Sequence, residues 1–340
     1  MNDAAASQPA ETRAATGSPP RGRYAPSPTG LLHVGNARTA LVAWLSVRAR
    51  GGSFVWRLED LDPPRIVAGA ADAAAADLTW LGLDWDEDPE TGGPFAPYIQ
   101  SQRSEVYEAA LNLLHDAGRL FPCTLSRKNL ASISSAPHGR DEEAPYPASA
   151  RPTSLPPDWY AALRRGGSTR AALRFRVRDE PVSFVDRIHG EISERVAGDF
   201  VLKRRDGLYA YQLAVVVDDW LMRIDEVVRG ADLIGSTARQ IQLLEALGAK
   251  RPSHAHVPMV LTAQGEKLSK RDDALTLRSL REDGVRSAQL VGYLAWSLGL
   301  LDKPVAAAPR DLLAGFAWSR IGREDWKLPE RFAERLRELR

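Results

Sequence analysis

The spacing of apolar positions changes several times along the chain, and each change marks an element. Arg23-Tyr24-Ala25 reads as a short buried strand, and Pro26, Pro28 and Gly30 force a turn behind it. Asn36 then reads as the cap of a helix running to Arg50, with Ala40, Leu41, Trp44 and Leu45 on one face. Gly51-Gly52 ends that helix, because glycine accepts the left-handed conformation at a helix C-terminus. Phe54 to Leu58 forms a second strand that closes on Glu59. A strand, a helix and a strand in this order predict a parallel sheet. Helices are predicted over Ala70 to Leu81 and Ser101 to Gly118.

After Cys123 the periodicity fades, and residues 124–170 are rich in Ser, Pro and Arg, as in a long-looped insertion. Alternation returns over Ala172 to Val177 and Val182 to Ile188, with His189-Gly190 as the turn that follows. Tyr211 to Val217 is almost continuously apolar and is read as a strand covered on both faces. Ser236 is placed as the cap of a helix through Leu247, and Gly248 as its stop. Pro258 to Leu261 is the last strand, Ala263-Gln264-Gly265 a loop, and the chain from Ala288 onward is mostly helical. The pattern contains no internal repeat.

Composition narrows the class of protein. The 340 residues suffice for two or three lobes, and a 44% hydrophobic share buries a core without disulfides. Cys123 is the only cysteine, so no intrachain disulfide forms, which agrees with a reducing cytoplasmic setting. No apolar run approaches the ~20 residues that cross a bilayer, and the Ala/Ser/Pro-rich residues 1–20 read as a disordered tail, not a secretory signal. The net charge of +1 gives no general attraction to nucleic acid. An RNA surface would have to come from local patches such as Lys203-Arg204-Arg205 and Arg164-Arg165.

Two segments carry candidate chemistry. In Pro26-Ser27-Pro28-Thr29-Gly30-Leu31-Leu32-His33-Val34-Gly35-Asn36, glycine allows close backbone approach to a nucleotide. The helix start after it offers N–H groups to phosphate, with His33 beside them. In Gly265-Glu266-Lys267-Leu268-Ser269-Lys270-Arg271, three cations and a serine suit a clamp on a polyphosphate. Taken singly, the first also reads as a capped surface turn and the second as a solvated basic turn.

Together, with a parallel α/β core between them, the segments resemble the HIGH and KMSKS signatures of class I aminoacyl-tRNA synthetases. Wider matches are similar to the glutamyl branch. They are Arg23 to Gly30 against RFAPSPTG, Leu58-Glu59-Asp60-Leu61-Asp62, Tyr211 to Asp219, and Val227 to Leu233, in order over about residues 21–275. The resemblance implies a Rossmann-like parallel core (21–122 and 201–262), an inserted lobe (123–200), and a KMSKS-like loop with a helical region (263–340). It implies ATP as substrate with Mg2+, and catalytic roles for His33, Lys267 and Lys270. Gly35, Asn36 and Ser269 complete the implied ATP site. Arg23, Tyr24, Ala25, Pro26, Ser27, Glu59, Tyr211 and Arg229 fall on the implied L-glutamate site. That set suits an amino acid with two carboxylates and one ammonium, since arginine grips a carboxylate through two parallel bonds and Glu59 matches the ammonium. Which arginine takes the side-chain carboxylate is left open.

Within the branch, two features resemble the shorter enzymes that load glutamate onto queuosine at the wobble position of tRNA(Asp), which act on the anticodon stem-loop. Arg229-Gly230-Ala231-Asp232-Leu233 stands where R-G-E-D-H is usual, and only about 70 residues follow Arg271, too few for an anticodon-binding region of ordinary size. A monomer is expected. The family's zinc pattern survives only as Cys123 and Tyr146, with Leu125 and Ala150 at the other two positions; His138 is the one nearby imidazole. A structural zinc wants four ligands, so none is expected. The competing functions are a shortened glutamyl-tRNA synthetase that charges a tRNA 3′ end, and a silent paralogue that binds RNA or protein.

Overall fold

The computed structural model describes residues 19–125, 146–165, 171–268 and 275–339. Ser269, Lys270, Arg271, His138 and the tail 1–18 lie outside the described residues. Strand β1 (Arg21–Tyr24) leads into helix α1 (Val34–Arg48) and strand β2 (Ser53–Trp56), then α2 (Ala70–Leu81) and α3 (Ser104–Asp116). The lobe follows with β3 (Leu120–Cys123), the short α4 (Trp159–Arg165) and β4 (Ala172–Phe175). Next come the hairpin β5 (Val182–Asp186) and β6 (Gly190–Glu194), β7 (Phe200–Lys203) and α5 (Tyr211–Leu221). The chain continues through β8 (Glu226–Gly230), α6 (Thr237–Ala246), β9 (Ser253–Val257) and β10 (Val260–Leu261). It closes with α7 (Leu277–Glu282), α8 (Ser287–Ser297), β11 (Trp326–Lys327) and α9 (Phe332–Glu338).

The main sheet runs β2-β1-β8-β9-β5-β6, parallel except for its last pair. The β5–β6 hairpin turns over residues 187–189, so the turn expected at His189-Gly190 is met at His189, while Gly190 opens β6. It belongs to this sheet, whereas β3, β4 and β7 form a separate antiparallel one. The segment 123–200 therefore contributes strands to two sheets. Helix α1 is buried along most of its length against β1, β2 and β8, as its apolar residues require. It ends at Arg48, two residues short of the expected Arg50, and the turn that follows reverses at Gly51, whose φ is +66°.

Three expectations fail here. Pro258 to Leu261 is not the last strand: only Val260–Leu261 is strand, and it pairs with the later β11. Tyr211 to Val217 is not a strand but the first part of helix α5. A helix buried on all sides shows the same unbroken apolar run as a buried strand, and Leu213 to Asp219 are all buried. Ser236 occupies the cap position of α6 but makes no capping bond; its Oγ accepts from Gln212 Nε2 at 3.1 Å instead.

The region after residue 275 packs onto the main core. Helix α8 meets the segment at 305–307 so closely that a Cβ on Gly292 would lie 1.7 Å from the Val305 carbonyl oxygen. Gly292→Ala is expected to destabilise the protein by about 1–3 kcal/mol or more, read as a lowered midpoint in thermal unfolding. An unchanged midpoint would mean that the 305–307 segment yields without cost.

Candidate active site

The carboxyl ends of β1, β2, β8 and β9 open on one edge of the sheet, where strand order reverses around β1. Open α/β sheets bind ligands at such a crevice. Four of the sequence-selected side chains, Arg23, Glu59, Tyr211 and Arg229, meet there. Arg23 leaves β1 and donates through Nε and Nη2 to Asp219 of α5 at 3.1 and 3.3 Å, and through Nη1 to the Val228 carbonyl. Arg57, just past β2, bridges Asp219 at 2.8 Å and Glu59 at 3.0 Å. Asp218 is held beneath by Arg103 at 2.7 Å, by Gln100 and by the Tyr107 hydroxyl. Three guanidiniums thus face three carboxylates. Burial acts to raise the Asp219 pKa, but the charges of Arg23 and Arg57 prevail and hold it below the usual range. Glu59 goes the other way, because burial outweighs Arg57.

Arg229, on β8, differs from these. It is 5% exposed, and its hydrogen-bond partners among the described residues are all neutral groups. Nε donates to His256 Nε2 at 3.0 Å, Nη1 to Gln240 at 2.7 Å, and Nη2 to the Thr237 hydroxyl at 2.9 Å and the Leu233 carbonyl. Burial lowers its pKa, partly offset by the Tyr211 hydroxyl. Tyr211, at the start of α5, feels Arg229, Glu59, Arg23 and Asp219 together, and burial pushes its phenol up. Among the described residues no ion pair joins Arg229 to a carboxylate. A buried cation without an acid is an anion-binding group in waiting.

The first signature lies at the N-terminus of α1. His33, not Asn36, is the cap: its Nδ1 accepts from the Gly35 and Asn36 amides at 3.1 and 3.4 Å, while Asn36 Oδ1 accepts from the His33 amide at 3.0 Å. This reciprocal box engages two of the amides expected to meet phosphate. It also places the proton of the neutral ring on Nε2, so the imidazole becomes the donor. Gly35 is needed because a Cβ there would press on the ring at 3.0 Å. Tyr24 is buried and donates to the Asn36 carbonyl, and Pro26 O accepts from the Glu59 amide. Ala25 is half-buried and Ser27 exposed beside them.

The second signature is described only to Leu268. Lys267 is exposed and pairs with Leu261 across a turn at 262–266. Beyond the undescribed residues, Thr276 bridges to His33, and Leu277 donates to the Leu32 carbonyl. The two signature regions are therefore neighbours. In the lobe, Cys123 and Tyr146 are buried with Phe121, and Leu125 and Ala150 pack against them. The Tyr146 hydroxyl donates to Ala150 O at 2.6 Å, and burial and then Cys123 push its phenol to about 12.

Sequence reasoning passed over Arg57, Asp186 and His256. His254 and His256 lie within β9, and His256 touches Arg229. Alternation over Ser253 to Val257 was the available signal.

Residues 21–300 match the family model for tRNA synthetases class I (E and Q), catalytic domain. The chain is 48% identical to a glutamyl-Q tRNA(Asp) synthetase of Symbiobacterium thermophilum, covering 91% of this chain and 95% of that protein. It is 45% identical to one from Nitratidesulfovibrio vulgaris, over 86% and 90%. A solved glutamate tRNA ligase from Elizabethkingia meningosepticum, in complex with its amino acid, superposes with TM-score 0.82 at 28% identity, over 94% of this chain and 69% of that one. The chain belongs to the class I tRNA synthetases of the E and Q family, ligases with a Rossmann-like core. Within that family it groups with the relatives named glutamyl-Q tRNA(Asp) synthetase.

Proposed function

We propose that the protein activates L-glutamate with ATP to glutamyl-adenylate and transfers the glutamyl group to queuosine at the wobble position of tRNA(Asp). The observation that carries the glutamate step is Arg229, a buried guanidinium bonded to neutral groups. Arg23 already has its acid in Asp219. Arg229 therefore takes the side-chain carboxylate of the substrate, and Glu59 with the Tyr211 oxygen takes the ammonium. The α-carboxylate, the nucleophile, is then spared a tight ion pair that would blunt it.

An oxygen of that carboxylate attacks the α-phosphorus of ATP in line and pyrophosphate leaves, a reaction promoted by positioning and charge neutralisation. His33 Nε2–H meets the α-phosphate. Lys270, with Lys267 and Ser269, neutralises the departing pyrophosphate. Mg2+ accompanies ATP, whose phosphates supply oxygen ligands. The adenylate's acyl carbon next accepts a hydroxyl of queuosine, and AMP leaves. The lobe around Cys123 needs no zinc, because two of its four ligand positions are apolar and packed.

The queuosine acceptor is supported by the names of relatives up to 48% identical and by Ala231 and Leu233 in place of the acid and histidine usual in glutamyl enzymes. Labelled glutamate is expected on tRNA(Asp) that carries queuosine, and not on tRNA(Asp) that lacks it or on tRNA(Glu). ATP–pyrophosphate exchange should proceed without tRNA. Label on tRNA(Glu) alone would show that the protein charges a 3′ end instead.

A further inference from the structure

The acid nearest to Arg229 along its hydrogen bonds is Asp186, at the end of β5, and an imidazole stands between them. Asp186 Oδ2 meets His256 Nδ1 at 2.7 Å, and Arg229 Nε meets His256 Nε2 at 3.0 Å. A carboxylate accepts and a guanidinium only donates. These two neighbours therefore fix the ring as neutral, with its proton on Nδ1. The Thr237 hydroxyl, 3.2 Å from Nε2, adds a second group able to donate to the same lone pair. Asp186 is itself anchored by the amides of Ile188 and His189 at 2.9 Å. Both His256 and Asp186 are fully buried at their side chains.

Only a neutral acceptor serves in this position. A carboxylate there would form a direct ion pair with Arg229, as Asp219 does with Arg23, and weaken its pull on an incoming anion. An imidazolium would set N–H against N–H, cation against cation. We propose that His256 is a positioning residue for glutamate recognition: its unprotonated Nε2 aims the Arg229 guanidinium at the substrate's side-chain carboxylate while leaving the charge intact. The proposal rests on the reading that glutamate is the amino acid activated.

The ring's surroundings agree with that neutral state. Asp186 reaches it from β5, Arg229 from β8, and Thr237 from α6. His189, in the β5–β6 turn, meets the His256 carbonyl at 2.9 Å. His254 stacks at 6.2 Å between ring centroids. Burial, joined by Arg229 and His189, holds the His256 pKa below the ordinary value against the pull of Asp186.

The test is ATP–pyrophosphate exchange with the full chain, with glutamate and ATP varied separately. The wild-type rate must first depend on glutamate. If it does not, the glutamate reading falls before any variant is made, and this proposal with it. H256L is expected to raise KM for glutamate about 10- to 100-fold, the loss of one hydrogen bond to a charged group. KM for ATP and kcat at saturating glutamate should stay within about threefold of wild type. H256Q, whose carbonyl can stand where Nε2 stands, should recover most of the loss. H256N, whose amide reaches only the Nδ1 position, should not. An unchanged glutamate KM in H256L, or equal rises for glutamate and ATP, would overturn the proposal. Should H256L fail to show a cooperative melt, equal glutamate KM values for H256Q and H256N would do the same.

Discussion

Replacing Arg229 by alanine is expected to lower kcat/KM for glutamate in ATP–pyrophosphate exchange by about 30- to 3,000-fold, the cost of stripping one partner from a buried charge pair. The size follows from burial. The guanidinium is 5% exposed, so no water replaces it, and the substrate carboxylate would face only the neutral groups that Arg229 now engages. Arg229→Lys should recover part of the loss at most, because an ammonium cannot reproduce the planar fork held by His256, Gln240 and Thr237. The KM for ATP should change little. If Arg229→Ala kept its glutamate KM, the side-chain carboxylate would have to bind elsewhere, and Arg23 would be the next candidate.

Asp219→Ala should produce the largest loss of stability among single substitutions at the site. Asp219 is the shared acceptor of Arg23 and Arg57, both essentially buried. Removing it leaves two guanidiniums short of a counter-charge, and breaking a buried pair this way costs about 3–5 kcal/mol. Urea unfolding followed by circular dichroism measures it. Asp219→Asn keeps acceptor capacity through its amide oxygen and should lose less. The loss should shrink as pH falls and the native carboxylate is protonated in wild type. The Asp219 pKa is held below its usual value, so its contribution is present above the unfolded pKa and fades as pH falls through the folded one. An Asp219→Ala midpoint equal to wild type would mean that Asp218 and Glu59 already neutralise both arginines.

Much of this site was legible in the sequence because its parts lie in short, ordered segments. Arg23, Glu59, Tyr211 and Arg229 were picked from four separate motifs, and they do converge. What escaped was whatever depended on direction. Reading Tyr211 to Val217 as a strand would send Asp218 and Asp219 to opposite faces, whereas in the helix both are buried, one toward Arg103 and the other toward Arg23 and Arg57. Asn36 looked like a cap by residue type, but the cap position is set by where the chain enters the helix, and the His33 ring reaches the amides first. His256 had no local signal of a role. Its meaning comes from Asp186 and Arg229, which stand 70 and 27 positions away in the chain.

The place of β1 in the sheet also bears on how the protein comes into being. Its N-terminal amide bonds to Asp225, 204 positions later, and Arg23 finds Asp219 after 196. At about 5–20 residues per second on the ribosome, roughly 10–40 s pass before those partners have been synthesised. Through that interval β1 can pair with β2, but Arg23 and Arg57 lack the Asp219 carboxylate they share, and the nascent pocket must stay open to water. Its assembly is a late event of synthesis, completed from the C-terminal side inward.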